Sequence, residues 1–171
     1  MLAETRDAID RAAEAGARSI LLVPGGYRLH DGLTREKAYQ RMVRGLRESL
    51  AYVEGRSIPI STETLETSSL PWCSLGEMLR IFDALPGLKY THDAGNPLVA
   101  NEDPLTLYQA LQDKVVSVHF KDLGYTEETE NSYRSMDGRY LKFRYPGLPE
   151  SRRSFQATAG KRASGRRTAC R

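Results

Sequence analysis

The sequence predicts an α/β fold of about four βα units with parallel strands. Over the first 122 residues, segments with apolar residues at helical spacing alternate with short apolar runs typical of buried strands. These runs begin near residues 19, 57, 88 and 115, and gaps of roughly 27 to 38 residues leave room for the crossover helices that parallel strands need. The chain has 171 residues, 40% of them apolar and 27% charged, as expected for one ordinary globular domain.

The first half of the alternation contains two helices and two strands. A helix is predicted over residues 4–16, and the run SILLVPGG at 19–26 is the first strand, five or six residues long. A polar loop leads to a long helix over 36–54. The segment SIPISTE at 57–63 is the second strand.

The second half of the alternation has clearer helix starts. Ser74, with a glutamate three residues later, forms a capping box that begins the third helix. The third strand is LKYTHD at 88–93, and Asp103 followed by proline begins the fourth helix. The fourth strand is KVVSVHF at 114–120, and after Asp122 we expect polar loop material without further regular elements.

Composition and terminal signals exclude several classes of protein. No window approaches eighteen consecutive apolar residues, which argues against a membrane-spanning helix. The charged, amphipathic N-terminal segment lacks the apolar core of a signal peptide, so we expect a cytoplasmic protein. Cys73 and Cys170 form neither a disulfide framework nor a metal-ligand spacing.

The net charge of +3 averages two unlike regions. Seven of the 25 basic residues lie in residues 151–171, which hold no acid, so residues 1–150 carry 18 basic against 22 acidic side chains and a net charge of −4. We therefore predict one domain over 1–148 and a basic, disordered tail over 149–171.

Three successive strands end in side chains that bind metals. Glu63 ends the predicted second strand, Asp93 ends the third and His119 ends the fourth. In a barrel the C-terminal strand ends converge on one site, whereas each residue taken alone is more readily a solvent-facing polar group, so the prediction depends on all three occurring together. Two carboxylates with one imidazole suit Mn²⁺, Mg²⁺ or Co²⁺, with Zn²⁺ as an alternative.

The segments around these three strand ends resemble the motifs of a known protein family. PISTETLE, LKYTHDAGN and VVSVHFKD resemble motifs of the sugar phosphate isomerase/epimerase family, the xylose isomerase-like TIM barrels of AP endonuclease family 2. The resemblance covers roughly residues 4–122 and implies a partial (β/α)8 TIM barrel. It implies Glu63, Asp93 and His119 as three of the family's four metal ligands, with Glu63 also acting as a catalytic acid/base carboxylate.

Further residues complete or flank these motifs. The resemblance implies Asn96, Lys121 and Asp122 as substrate-binding, loop-shaping or ligand-orienting groups. Strand alternation turns His92 away from the cavity, so we expect a packed or surface histidine there. The roles of four other residues are left open by the sequence. Gly95 fits a turn with positive φ, and His30 could reach the cavity. Trp72 and Cys73 either line a substrate pocket or pack on a helix.

The chain also departs from the family pattern. The first three βα units have no counterpart, and the fourth ligand, a glutamate ending the eighth strand, has no candidate, because position 154 is serine and Glu150 lies in a Pro/Gly loop. The abrupt basic tail suggests a frameshifted sequence. We therefore expect a truncated fragment with weak or no activity, and its exposed sheet edges favour self-association.

The resemblance implies metal-dependent isomerisation or epimerisation of a small sugar or polyol. One alternative is a non-catalytic remnant or α/β binding module whose basic arm binds nucleic acid, although the tail lacks interleaved aromatic residues. An endonuclease IV-like phosphodiesterase ranks lower because it needs many histidine ligands, and this chain has three histidines. We expect neither a membrane nor a nucleic acid as partner.

Overall fold

The computed structural model describes residues 3–23 and 32–144. The end of the predicted first strand, His30, Glu150 and the predicted tail over 149–171 lie outside the described residues. Within the described ranges, no helix is long and apolar enough to cross a membrane.

Four parallel strands form a curled half-barrel, as predicted. Neighbouring strands pair in chain order, and the strands are β1 (Ile20–Leu21), β2 (Ile60–Thr62), β3 (Lys89–Asp93) and β4 (Val115–His119). Four helices alternate with them: α1 (Ala3–Glu14), α2 (Arg35–Tyr52), α3 (Leu75–Ala84) and α4 (Pro104–Leu111), with short 3-10 turns at Asn96–Ala100 and Gln112–Lys114. β1 is shorter than the predicted run. β1 and β4 form the two edges of this sheet, where self-association stays a prediction.

The helices α3 and α4 begin where their cap signals predict. The Ser74 hydroxyl accepts a hydrogen bond from the backbone N–H of Glu77, and the Glu77 side chain accepts one from the backbone N–H of Ser74. The Asp103 carboxylate accepts from the backbone N–H of Thr106 at the start of α4. These side chains satisfy N–H groups that the first turn of a helix leaves without partners. They also fix the point at which each loop from the sheet enters its helix.

The core fills the space between the sheet and the helices. Its fully buried members include Ile60 and Tyr90 on the strands and Met78 and Ile81 on α3. Trp72 belongs to the same core and is 1% exposed, so of the two readings of this residue the packing one is correct.

The region after Asp122 differs from the prediction of polar loop material. A second, antiparallel sheet is formed by β5 (Leu123–Thr126), β6 (Tyr133–Arg134) and β7 (Tyr140–Phe143), with β7 in the centre. The strands are short and only Leu123, Gly124 and Leu141 in them are buried, so the sequence shows no clear period of two. Gly138, at φ +86°, provides the turn before β7. We call residues 123–143 the rim sheet.

The rim sheet is bonded to the loops that follow three strands of the half-barrel. After β2, the Ser68 hydroxyl donates to the carbonyl of Arg134 (3.3 Å). After β3, the Val99 carbonyl accepts from the N–H of Met136 (2.8 Å). After β4, the carbonyl of Asp122 accepts from the N–H that follows β7 (2.8 Å). The rim sheet therefore lies at the carboxyl ends of the strands.

Cys73 is fully buried between two charged side chains rather than lining an open pocket. Its Sγ atom donates to a carboxylate oxygen of Glu77 (3.6 Å) and accepts from the guanidinium of Arg35 (3.7 Å). Burial, reinforced by the charge of Glu77 and opposed by Arg35, raises the pKa of the Cys73 thiol to about 11.

We expect Cys73 to react slowly with iodoacetamide at pH 8. Because the thiolate is the reactive form, a pKa near 11 reduces the rate roughly a hundredfold relative to an unfolded thiol, before burial is considered. Mass spectrometry of the peptide that contains Cys73 measures the rate in native protein and in urea. Equal rates in the two conditions would show that the thiol is accessible in the native fold.

Candidate metal centre

Three strand ends bring two carboxylates and one imidazole together. Glu63 directly follows β2, and the parallel register pairs Asp93 with His119 at the ends of β3 and β4. His119 Nδ1 lies 3.0 Å from Glu63 Oε2 and 3.9 Å from Asp93 Oδ2. One ligand atom from each of the three residues lies within 4.8 Å of the other two.

This donor set fits a divalent cation. Ligand atoms about 2.1 Å from an ion lie roughly 3.0–3.4 Å apart at octahedral or tetrahedral angles. The two distances from His119 Nδ1, 3.0 and 3.9 Å, are close to that range. The Asp93 carboxylate is fully buried and Glu63 is 7% exposed, whereas the His119 side chain is 41% exposed and leaves access from solvent.

The Asp93 carboxylate is oriented by the loop that follows it. Its Oδ1 atom accepts hydrogen bonds from the backbone N–H groups of Gly95 (2.9 Å) and Asn96 (2.8 Å). Its Oδ2 atom points the other way, toward His119 (3.9 Å) and the ammonium group of Lys121 (3.0 Å). One oxygen is thus held by the backbone and the second is presented to the cluster.

Asn96 and Asp122, which the sequence predicts to lie around the metal-binding cluster, differ in burial and in their contacts. Asn96 is fully buried, donates from Nδ2 to the carbonyl of Thr64 (2.6 Å) and accepts from Lys121 Nζ (3.1 Å). It therefore connects the loop after β2 to Lys121. Asp122 is half-buried, and its carbonyl holds the end of the rim sheet.

The cluster carries an excess of negative charge. Burial and the neighbouring charge of Asp93 raise the pKa of Glu63, although His119 and Lys121 oppose the shift. Burial lowers the pKa of Lys121, but its hydrogen bond to Asp93 and the surrounding carboxylates outweigh burial, and the net shift is upward. Both upward shifts follow from the excess of negative charge, because it disfavours the ionised carboxylate of Glu63 and favours the charged ammonium of Lys121.

A sequence profile described as xylose isomerase-like TIM barrel matches residues 2–146. The chain belongs to this family. A search of curated proteins found no significant match to the sequence.

Solved structures resemble this xylose isomerase-like chain in fold. The IolI protein with a bound zinc atom has a TM-score of 0.60 and 12% identity over 85% of this chain and 50% of its own. A xylose isomerase-like TIM barrel protein from Mycobacterium smegmatis, in complex with magnesium, has a TM-score of 0.60 and 14% identity over 92% and 56%. The 3-keto-D-glucoside 4-epimerase YcjR from E. coli has a TM-score of 0.57 and 13% identity, over 68% of this chain and 48% of its own. At these identities the likeness shows the fold alone, and the chain spans about half the length of each of these three structures.

Gly95 corrects one expectation about the family motif. Its φ is −112°, so the predicted positive-φ turn is wrong. A Cβ atom at this position would lie 2.8 Å from the Cβ of Lys121 and 3.2 Å from its carbonyl oxygen. Glycine is required because the loop after β3 passes directly against Lys121, just beyond the end of β4. The same close approach brings Asp93 within 3.0 Å of the Lys121 ammonium.

His92 is packed, as its alternation with Asp93 predicts. It is 6% exposed, and its ring lies edge-on to Tyr90 (5.8 Å between centroids) and Tyr108 (5.4 Å). Among the histidines in the described ranges, His119 is the one that faces the carboxylates.

Glu66 is a charged neighbour that the sequence reasoning missed. Its Oε2 atom lies 3.6 Å from Lys121 Nζ, and its side chain is 33% exposed. Its position three residues after Glu63 was the available signal, but a loop residue's direction cannot be read from spacing.

Proposed function

We propose that this xylose isomerase-like chain binds a divalent metal ion through Glu63, Asp93 and His119, in a site suited to isomerisation or epimerisation of a small sugar or polyol. The observation that carries the proposal is the approach of three ligand atoms to within 4.8 Å at neighbouring strand ends. Zinc and magnesium in two structures of the same fold support a divalent ion, with Mn²⁺, Mg²⁺ or Co²⁺ preferred for this oxygen-rich set and Zn²⁺ as the alternative.

The chemistry divides between the ion and the side chains. A bound divalent ion polarises a substrate carbonyl as a Lewis acid. Glu63 is placed to accept a proton from the adjacent carbon and to return it to the same or the neighbouring carbon. His119 Nδ1 and Glu63 Oε2 lie 3.0 Å apart, so the two side chains already stand side by side as two ligands of one ion would. An epimerase acting on a keto-glucoside in the same fold supports a sugar-like substrate.

The phosphodiesterase alternative has less support. Such a site needs several histidine ligands around more than one ion. In the described part of the chain, His92 is packed between tyrosines and His119 alone joins the carboxylates.

Calorimetric titration of the full chain with Mn²⁺ tests the proposal. We expect one ion per chain, and we expect Glu63→Ala and His119→Ala each to weaken binding at least about thirtyfold, since each removes one of three ligands. Glu54→Ala is the matched control, because Glu54 is exposed in the turn before β2, away from the carboxyl ends of the strands. Equal Mn²⁺ affinity in all four proteins would refute the metal site.

A further inference from the structure

Lys121 is a cation whose acceptors are all supplied by the protein. Its Nζ atom lies 3.0 Å from Asp93 Oδ2, 3.1 Å from Asn96 Oδ1 and 3.6 Å from Glu66 Oε2. These neighbours give the ammonium one hydrogen bond, to Asn96, and two ion pairs, with Asp93 and Glu66. Its side chain is nevertheless 23% exposed, so it stays within reach of a bound molecule.

Glu66 is the one of these neighbours with no place in the metal cluster. Asp93 is a proposed ligand, and Asn96 connects two loops, whereas Glu66 lies in the loop after β2 and contacts the cluster through Lys121. Tyr133 of the rim sheet lies close enough to respond to both charges, since burial and then Glu66 raise its pKa while Lys121 opposes the shift.

Glu66 changes the formal charge beside the metal cluster by one unit. Glu63, Asp93 and Glu66 supply three negative charges, Lys121 supplies one positive charge and a divalent ion supplies two. A ligating imidazole is neutral. This group of side chains and ion is therefore neutral with Glu66 and carries one positive charge without it, and the half-buried Asp122 beside Lys121 adds one negative charge in both cases.

We propose that Glu66 is a specificity-determining residue that tunes the site to neutral sugars or polyols and against sugar phosphates and sugar acids. With Asp93 shared with the bound ion, Glu66 is the carboxylate that offsets the charge of the Lys121 ammonium, which would otherwise attract an anionic group on the substrate. The inference rests on the proposed function, because the charge balance includes the bound ion.

Binding of a neutral and an anionic sugar to the Mn²⁺-saturated full chain tests this inference. D-fructose and D-fructose 6-phosphate share the same carbon skeleton and keto group and differ in charge through the phosphate ester, and calorimetry gives the ratio of their dissociation constants. We expect the native chain to prefer D-fructose, and Glu66→Gln to shift the ratio roughly tenfold toward the phosphate ester, the size of one unit charge acting over several ångströms near a protein surface. Glu54→Gln, an exposed carboxylate away from the strand ends, controls for the loss of net charge and is expected to leave the ratio unchanged.

The outcomes separate the two proposals. Mn²⁺ binding with the same ratio in the native chain and Glu66→Gln would overturn the role of Glu66 alone, as would a native preference for the phosphate ester. Failure of the native chain to bind Mn²⁺ would overturn the proposed function and this inference with it. Thermal unfolding followed by circular dichroism shows that Glu66→Gln is folded, and direct binding of the sugars gives a readout independent of catalysis.

Discussion

Replacing Asp93 with asparagine is expected to abolish Mn²⁺ binding and to lower the free energy of unfolding by about 2–4 kcal/mol. The carboxylate is fully buried, and its Oδ1 atom accepts two backbone N–H groups while Oδ2 faces Lys121 at 3.0 Å. An amide has one acceptor oxygen, so it cannot satisfy both sides. It also removes the negative charge and leaves the half-buried ammonium of Lys121 without its main counter-charge.

Urea unfolding and Mn²⁺ titration measure the two effects of Asp93→Asn separately. Asp113→Asn is the control, because Asp113 is exposed in the 3-10 turn before β4, at the opposite end of that strand from His119. The control should change stability by less than about 0.5 kcal/mol and leave Mn²⁺ affinity unchanged. If Asp93→Asn were as stable as the control, the contacts of the carboxylate with the loop after β3 and with Lys121 would not stabilise the fold.

Replacing Trp72 with alanine is expected to lower the free energy of unfolding by about 3–5 kcal/mol, because it removes the largest fully buried side chain and leaves a cavity in the core. Far-ultraviolet circular dichroism during urea unfolding is the appropriate probe, since the variant loses the only tryptophan. Leu79→Ala, at a residue of α3 that is 48% exposed, should cost less than about 1 kcal/mol. Similar losses in the two variants would place Trp72 outside the core.

The parallel half-barrel and the three strand-end residues follow from local patterns. Parallel strands repeat one orientation, so residues at equivalent strand ends meet at the same edge of a sheet, and Glu63, Asp93 and His119 need no further information to converge. The helix starts at Ser74 and Asp103 are equally local, because each cap bonds within its own first turn. These features could therefore be predicted from sequence.

The features that escaped prediction depend on contacts between distant segments. Gly95 is required because Lys121, 26 residues later in the chain, passes directly against it, and nothing in the sequence near Gly95 indicates that contact. The approach of Glu66 to Lys121 depends on the path of a loop, which spacing does not determine. The rim sheet has strands of two to four residues, too short for a pattern, and it is bonded to three loops.

Those three bonds make the carboxyl ends of β2, β3 and β4 mechanically interdependent. A loop that swings away must break its bond to the rim sheet or drag the other two loops with it. The three strand ends that carry Glu63, Asp93 and His119 are therefore joined through one sheet. If these residues bind a cation as proposed, the ion would meet side chains that are already close together, and little conformational entropy would be lost in assembling them.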